Sequence, residues 1–234
     1  MSSHRPTQKT SIVLALFVVL QALRCSLVYG FIRIPCSQLV TERFDPLVTP
    51  GIVSPHVHQV VGGNAFNLTM HPTLDIPTLA SCTSCRVVED KSNYWTAVVY
   101  FRHRNGSFLR VPQMANHHTG PGLMNGGMTV YYFQPRAPTK NLTIVPFKKG
   151  FRMTVGHPSR RSLNGVDPGR TEAKATSFRC FSDPLVIGED PPASGPQDSV
   201  GFPRDMCSAG VRSNIYFPQC WDGVIPTLRF PCRK

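Results

Sequence analysis

Acidic residues are scarce in this chain: 13 Asp and Glu stand against 25 Lys and Arg over 234 residues, giving a formal net charge of +12. Long apolar runs are also scarce, and none after residue 30 reaches the ~20 residues that a helix needs to cross the hydrocarbon core of a bilayer. Amphipathic helical stretches are few, and no repeat at a fixed period is visible, which argues against helical bundles, propellers and solenoids. The chain has no G-x-S-x-G elbow, P-loop, Rossmann glycine fingerprint or H-E-x-x-H pair, so the commonest hydrolase, nucleotide and zinc-helix chemistries lack their motifs.

What is present begins with an export signal. His4, Arg5 and Lys9 form a basic start, Ser11 to Leu23 is apolar apart from Gln21, and Val28 and Gly30 place small residues before Phe31. This order of zones predicts a cleaved signal peptide over residues 1–30. Residues 31–234 are then expected to form a single secreted domain. Loss of Arg5, Lys9 and Arg24 leaves 22 basic residues against 13 acidic ones. Outside the cell, that excess favours a carbohydrate or another acidic cell-wall polymer as partner, and nucleic acid is not expected there.

Seven cysteines follow the signal: Cys36, Cys82, Cys85, Cys180, Cys207, Cys220 and Cys232. In an oxidising compartment they are expected to pair, but spacing does not give the connectivity, and an odd number leaves one over. Cys82-Thr-Ser-Cys85 has the spacing of half a zinc ribbon without a second half, so a structural disulfide, local or distant, is expected. Asn67, Asn105 and Asn141 each open an N-x-Ser/Thr glycosylation tripeptide.

The segment Tyr94–Arg102 alternates as a strand with Trp95, Ala97, Val99 and Phe101 on a buried face. Asn105-Gly106 then predicts a two-residue type I′ hairpin turn into 107–111. Further strands are expected over 128–134, 142–147, 151–155 and 176–180. Loops are expected over 116–127, 156–175 and 182–205, the second of these basic. Short strands with frequent turns predict a mainly β fold, an antiparallel sandwich or jelly roll with long loops.

The densest polar punctuation is residues 43–64. If 56–61 is extended, His56 and His58 point to one face. Two such imidazoles fit three roles: ordinary core or surface histidines, a metal pair completed by His71, His103, His117, His118, His157, Asp45 or Glu89, or a proton-transfer site on a sugar. A copper site built on an N-terminal histidine is disfavoured, because the expected mature end is Phe31. The candidate catalytic residues are Arg43, Asp45, His56, His58 and Tyr94, with Arg43 neutralising an acidic sugar. Trp95, Tyr132 and Trp221 are candidate ring-stacking residues, although strand alternation puts Trp95 and Tyr131 in the core. Asp45, Asp75, Glu89, Asp90, Asp167 and Asp222 are the carboxylates from which a glycosidase pair would be drawn. No cofactor is assigned, and enzyme and binding module both remain open.

Several segments together resemble one fungal secreted family. They are Cys36, 43–51 (RFDPLVTPG), 54–58 (SPHVH), 61–66 (VGGNAF), 81–85 (SCTSC), 90–95 (DKSNYW), 130–132 (VYY), 151–153 (FRM) and 217–223 (FPQCWDG). The chain is similar, in order and over nearly all of residues 31–234, to domain of unknown function nineteen-ninety-six. The resemblance implies a secreted or wall-associated protein, often joined to carbohydrate-binding or cysteine-rich wall modules, and so a role at polysaccharide by analogy. Relatives continue beyond the Cys-Trp-Asp-Gly segment with a further strand-like stretch, so the resemblance also implies a shortened C-terminus here. An unpaired sheet edge and the odd cysteine count would follow from that.

Overall fold

The computed structural model describes residues 30–114, 126–134, 145–162, 164, 173, 175–183, 197–217 and 227–228. Residues 1–29, Asn141, Cys220, Trp221 and Cys232 lie outside the described residues, as do most of the three expected loops and the start of the expected 142–147 strand. The fold is mainly β with antiparallel sheets. The described strands are β1 (Gly30–Ser37), β2 (Val40–Glu42), β3 (His58–Gly62), β4 (Asn93–Ala97), β5 (Tyr100–Arg102), β6 (Phe108–Arg110) and β7 (Gly127–Gln134), followed by β8 (Arg152–Met153), β9 (Thr176–Phe181), β10 (Asp198–Ser199), β11 (Gly210–Ile215) and β12 (Thr227–Leu228). One four-residue helix, α1 (Ile76–Leu79), interrupts them.

The chain divides into two compact units, one of Met1–Ile34 with Thr129–Val145 and one of Pro35–Met128 with Pro146–Lys234. Apart from Val145, the described part of the first belongs to β1 and β7, which pair as a two-stranded sheet. Phe31 leans on Tyr131 and Phe133 at ring-centroid distances of 6.1 and 6.0 Å. Arg33 Nε donates to the Tyr131 hydroxyl at 3.0 Å while its guanidinium lies over that ring. Tyr131 is therefore half-buried under an arginine, not sealed in a core.

In the second unit β3 is the middle strand of β2–β3–β4, antiparallel on both sides. Every residue of β3 is buried, and Val60 and Val61, on opposite faces, are fully so. Burying each valine contributes about 1.5–3 kcal/mol, which anchors the strand whose first residue is His58. β3 ends at Gly62, where φ is 105° and a Cβ would come within 1.8 Å of the Ser92 carbonyl oxygen. Only glycine fits that approach, and it lets Ser84 exchange hydrogen bonds with Gly62 from the adjoining segment. Cys85 of that segment is joined to Cys36. The distant form of the expected disulfide is thus the one that forms, and Cys82 keeps an exposed free thiol.

The expected strand 94–102 is broken. Its first part pairs with β3 as β4, Val98 N still donates to Val57 O, and the chain then leaves to pair with β6 as β5. Of the face expected to be buried, Trp95 is half-buried, Ala97 at the end of β4 is exposed, and Val99 and Phe101 are exposed because β5–β6 is a hairpin open on both sides. Its turn also differs from expectation. His103 O accepts from Gly106 N, and His103 N donates to Ser107 O, which makes a three-residue loop, 104–106, with Gly106 at a positive φ of 86°. Such a loop places one glycine in the left-handed region, whereas a type I′ turn needs both central residues there.

β7 and β9 match the expected strands within a residue or two. In 151–155 only Arg152–Met153 is extended, paired in parallel with β12. The 182–205 region, expected to be irregular, contributes β10 to the sheet β10–β9–β11. A second disulfide, Cys180–Cys207, lies beside this sheet.

Candidate functional site

The loop from Arg43 to Val57 is closed at its neck by a reciprocal pair. Arg43 Nε donates to Ser54 O at 2.8 Å, and Ser54 N donates to Arg43 O at 2.8 Å. Inside the loop, Asp45 is buried and caps a turn: its Oδ1 accepts from Leu47 N at 3.2 Å and Val48 N at 3.1 Å, and its carbonyl accepts from Thr49 N. Asp followed by Pro favours this turn, because a short carboxylate reaches the amides two and three residues on. Ser54 Oγ accepts from His56 N, fixing the chain as it enters β3.

These bonds bring Asp45 to His58. His58 Nδ1 lies 2.9 Å from Phe44 O, and a carbonyl only accepts, so Nδ1 carries the proton. The tautomer is thereby set, and Nε2 is turned toward Asp45 Oδ2, 3.9 Å away. That separation is too long for a direct hydrogen bond. The His56 ring stands edge-on to that of His58 at 6.2 Å between centroids, half-buried where His58 is only 6% exposed. Arg43 is exposed at the rim. The structure thus brings Asp45, His56 and His58 together, the His56 ring against a buried imidazole–carboxylate pair, with Arg43 at the neck of the same loop. Because β3 begins only at His58, His56 reaches the same neighbourhood from a bend, not from an alternate strand position.

Tyr94 is placed elsewhere. It lies opposite Val61, on the face of the sheet away from His58, and its hydroxyl donates to Asp90 Oδ2 at 2.8 Å. Trp95 shares the His58 face but lies opposite Val60 and against Phe66, with ring centroids 5.4 Å apart, as a packing residue would. Tyr132 is half-buried on β7 in the other unit. Asn67 and Asn105 are exposed, the latter in the hairpin turn with its Oδ1 accepting from Ser107 N and Oγ. Among the described residues no group of three His, Cys, Asp or Glu is placed to hold a metal.

Two features escaped the sequence reading. Glu42 lies directly opposite His58 across β2–β3, on the same face as the imidazole. Its signal was the short run 40–42 immediately before Arg43, too short to read as a strand. The second feature is a buried polar row on β10–β9–β11. Arg179 Nε donates to Asp198 Oδ1 at 2.6 Å, Arg212 approaches the same oxygen at 4.0 Å, and Asn214 Nδ2 reaches both Ser177 Oγ and Asp198 Oδ2. Arg179 and Asn214 are each 2% exposed. Burial, with the Asp198 charge adding to it and Arg212 opposing, raises the pKa of the neighbouring Tyr216 phenol above its ordinary value. The signal was the alternation Ser177-x-Arg179 and Arg212-x-Asn214, in which the inward positions are polar.

Fold and site together define a mainly β, disulfide-linked chain with a histidine–carboxylate loop leading into the middle strand of a small antiparallel sheet. A family model, domain of unknown function (DUF1996), matches residues 45–227. The chain belongs to that family, and the match begins at Asp45, inside the loop. No curated protein and no solved structure matches it.

Proposed function

We propose that this chain is an exported protein that binds or acts on cell-wall polysaccharide, with the 43–58 loop as its contact surface. The observation that carries the reading is the buried Asp45–His58 pair with half-buried His56 against it and exposed Arg43 at the neck of the loop. A tautomer fixed from below and a carboxylate held by two amides are features of a preorganised site. Arg43 supplies a cation for an acidic sugar, and His56 a donor or proton-transfer group within reach of solvent. His58, buried, acts on His56 and Asp45 as a positioning residue. The expected signal peptide and the exposed Asn67 and Asn105 acceptors support export.

The 3.9 Å gap between Nε2 and Oδ2 favours one second reading, a metal-handling protein in which a small cation bridges the two atoms. Both readings meet one experiment. The secreted product of the full chain is assayed for binding and for release of reducing or unsaturated ends on a panel of homogalacturonan, xylan, mannan, β-glucan and chitin, with metal content measured in parallel. Binding that weakens about tenfold in Arg43→Ala or His56→Ala, or ~1.4 kcal/mol, supports the polysaccharide reading. Stoichiometric metal lost in the His56→Ala, His58→Ala double variant supports the second. Folded variants that equal the wild type in every assay leave the histidines a purely structural role.

A further inference from the structure

The positive charge of this chain is concentrated. From Lys91 to Val166 there is no acidic residue and there are eleven Lys and Arg, whereas the rest of residues 31–234 carries eleven basic residues against all 13 acidic ones. The hairpin β5–β6 opens this stretch, and every residue from Val99 to Met114 is exposed. Its register pairs Tyr100 with Arg110 and Arg102 with Phe108, so one face carries two aromatic rings and two guanidinium groups in a checkerboard. The other face carries Phe101 and Leu109, continued by Val99 and Val111, which are also hydrogen-bonded across the strands.

On the first face, alternate residues are about 6.8 Å apart along each strand, and partners across the strands about 5 Å. Rings and cations at those intervals suit a polymer whose units each offer an apolar ring face and a carboxylate. Arg110 is held for such a role: its Nη2 donates to Gln38 Oε1 at 2.6 Å, beside an open groove lined by Gln38, Arg110, Val111, Pro112 and Gln113. We propose that this arginine–aromatic face of β5–β6, with the adjoining groove, is a docking strip for a carboxylated polysaccharide, distinct from the 43–58 loop. The proposal rests on the polysaccharide reading above and names the chemical class of the polymer.

The test uses the full secreted protein, stripped of N-glycans, and measures binding to polygalacturonate and to its methyl ester at several salt concentrations. Phosphatidylserine vesicles and duplex DNA serve as alternative partners. The wild type is expected to bind polygalacturonate, to lose affinity steeply with salt, and to bind the neutral ester at least about tenfold more weakly. Arg102→Gln with Arg110→Gln is expected to flatten the salt dependence and lower affinity about tenfold or more, and Tyr100→Ala with Phe108→Ala to weaken binding without changing the salt slope. Both double variants lie on an exposed hairpin, and unchanged thermal unfolding verifies that they fold. If the wild type binds some polysaccharide but the folded hairpin variants match it, the docking strip is overturned while the function stands. If the wild type binds no polysaccharide, both fall. Preference for vesicles or DNA over polygalacturonate overturns the assignment in favour of that partner.

Discussion

The sheet β2–β3–β4 buries Val60 and Val61 completely, whereas β10–β9–β11 fills its inward face with Ser177, Arg179 and Asn214 beside Phe181. Each has three antiparallel strands and a disulfide nearby. The first gains its stability chiefly from the apolar area of its middle strand, where His58 and Gln59 are the buried polar side chains. The second depends on a carboxylate from the two-residue strand β10 meeting two arginines, which is intolerant of a missing partner. A site can be grafted at the end of the first sheet's middle strand at little structural cost, while polar groups of the second already serve each other.

That contrast is broken most severely by Asp198→Ala. Withdrawing the carboxylate from a nearly inaccessible Arg179 is expected to cost about 3–5 kcal/mol, read as a fall in denaturant midpoint. Val60→Ala in the first sheet should cost only about 2 kcal/mol, with the transition otherwise unchanged. Equal losses would erase the distinction.

The two disulfides sharpen it. Closing 49 residues between Cys36 and Cys85 restricts the unfolded chain by about 4 kcal/mol on the chain-entropy account. Closing 27 between Cys180 and Cys207 contributes ~0.5 kcal/mol less. Paired Cys→Ala variants compared by chemical unfolding measure both, and a reversed order would mean that native-state contacts, not loop length, decide.

His58→Ala removes a buried donor to Phe44 O and is expected to cost about 1–3 kcal/mol, while His56→Ala should change stability by less than about 0.5 kcal/mol. Comparable losses would mean that His56 also serves the framework. The smallest effect concerns Tyr216. Its pKa is raised in the folded chain, so the unfolded chain ionises first as pH climbs. The stability it contributes is complete below the ordinary tyrosine range and is lost as pH rises through that range toward the folded value. A Tyr216→Phe variant should lose less stability than wild type over that alkaline window, and identical pH profiles would contradict this.

Strands whose alternation runs unbroken along one set of neighbours were legible: 128–134 pairs with β1 alone and 176–180 lies between β10 and β11, and both form as read. Tyr94–Arg102 was not, because one continuous alternating run changes partner at Val98 and Val99, and periodicity says nothing about which strand lies alongside. β10 was illegible for a related reason, since Asp198 and Ser199 are extended only by pairing with a strand nearly twenty residues earlier. In the candidate site, Arg43, Asp45, His56 and His58 cluster in the sequence, and turn chemistry at Asp45-Pro46 draws Asp45 in beside the buried His58. Tyr94 was assigned by proximity in the motif pattern, and strand parity sends it to the opposite face. Glu42 and the Arg179–Asp198 row required the register itself.

On the proposed function, a buried, tautomer-fixed His58 supports an outer contact surface formed by His56 and Arg43. A nitrogen-15 NMR titration of the histidine rings with oligogalacturonate reads both halves of that arrangement at once. The account predicts that His58 holds its proton on Nδ1 throughout with little shift, while the His56 ring and the Arg43 Nε signal move together to saturation. A His58 protonated on Nε2 alone, or a titration that saturates elsewhere and leaves His56 and Arg43 unmoved, would contradict it.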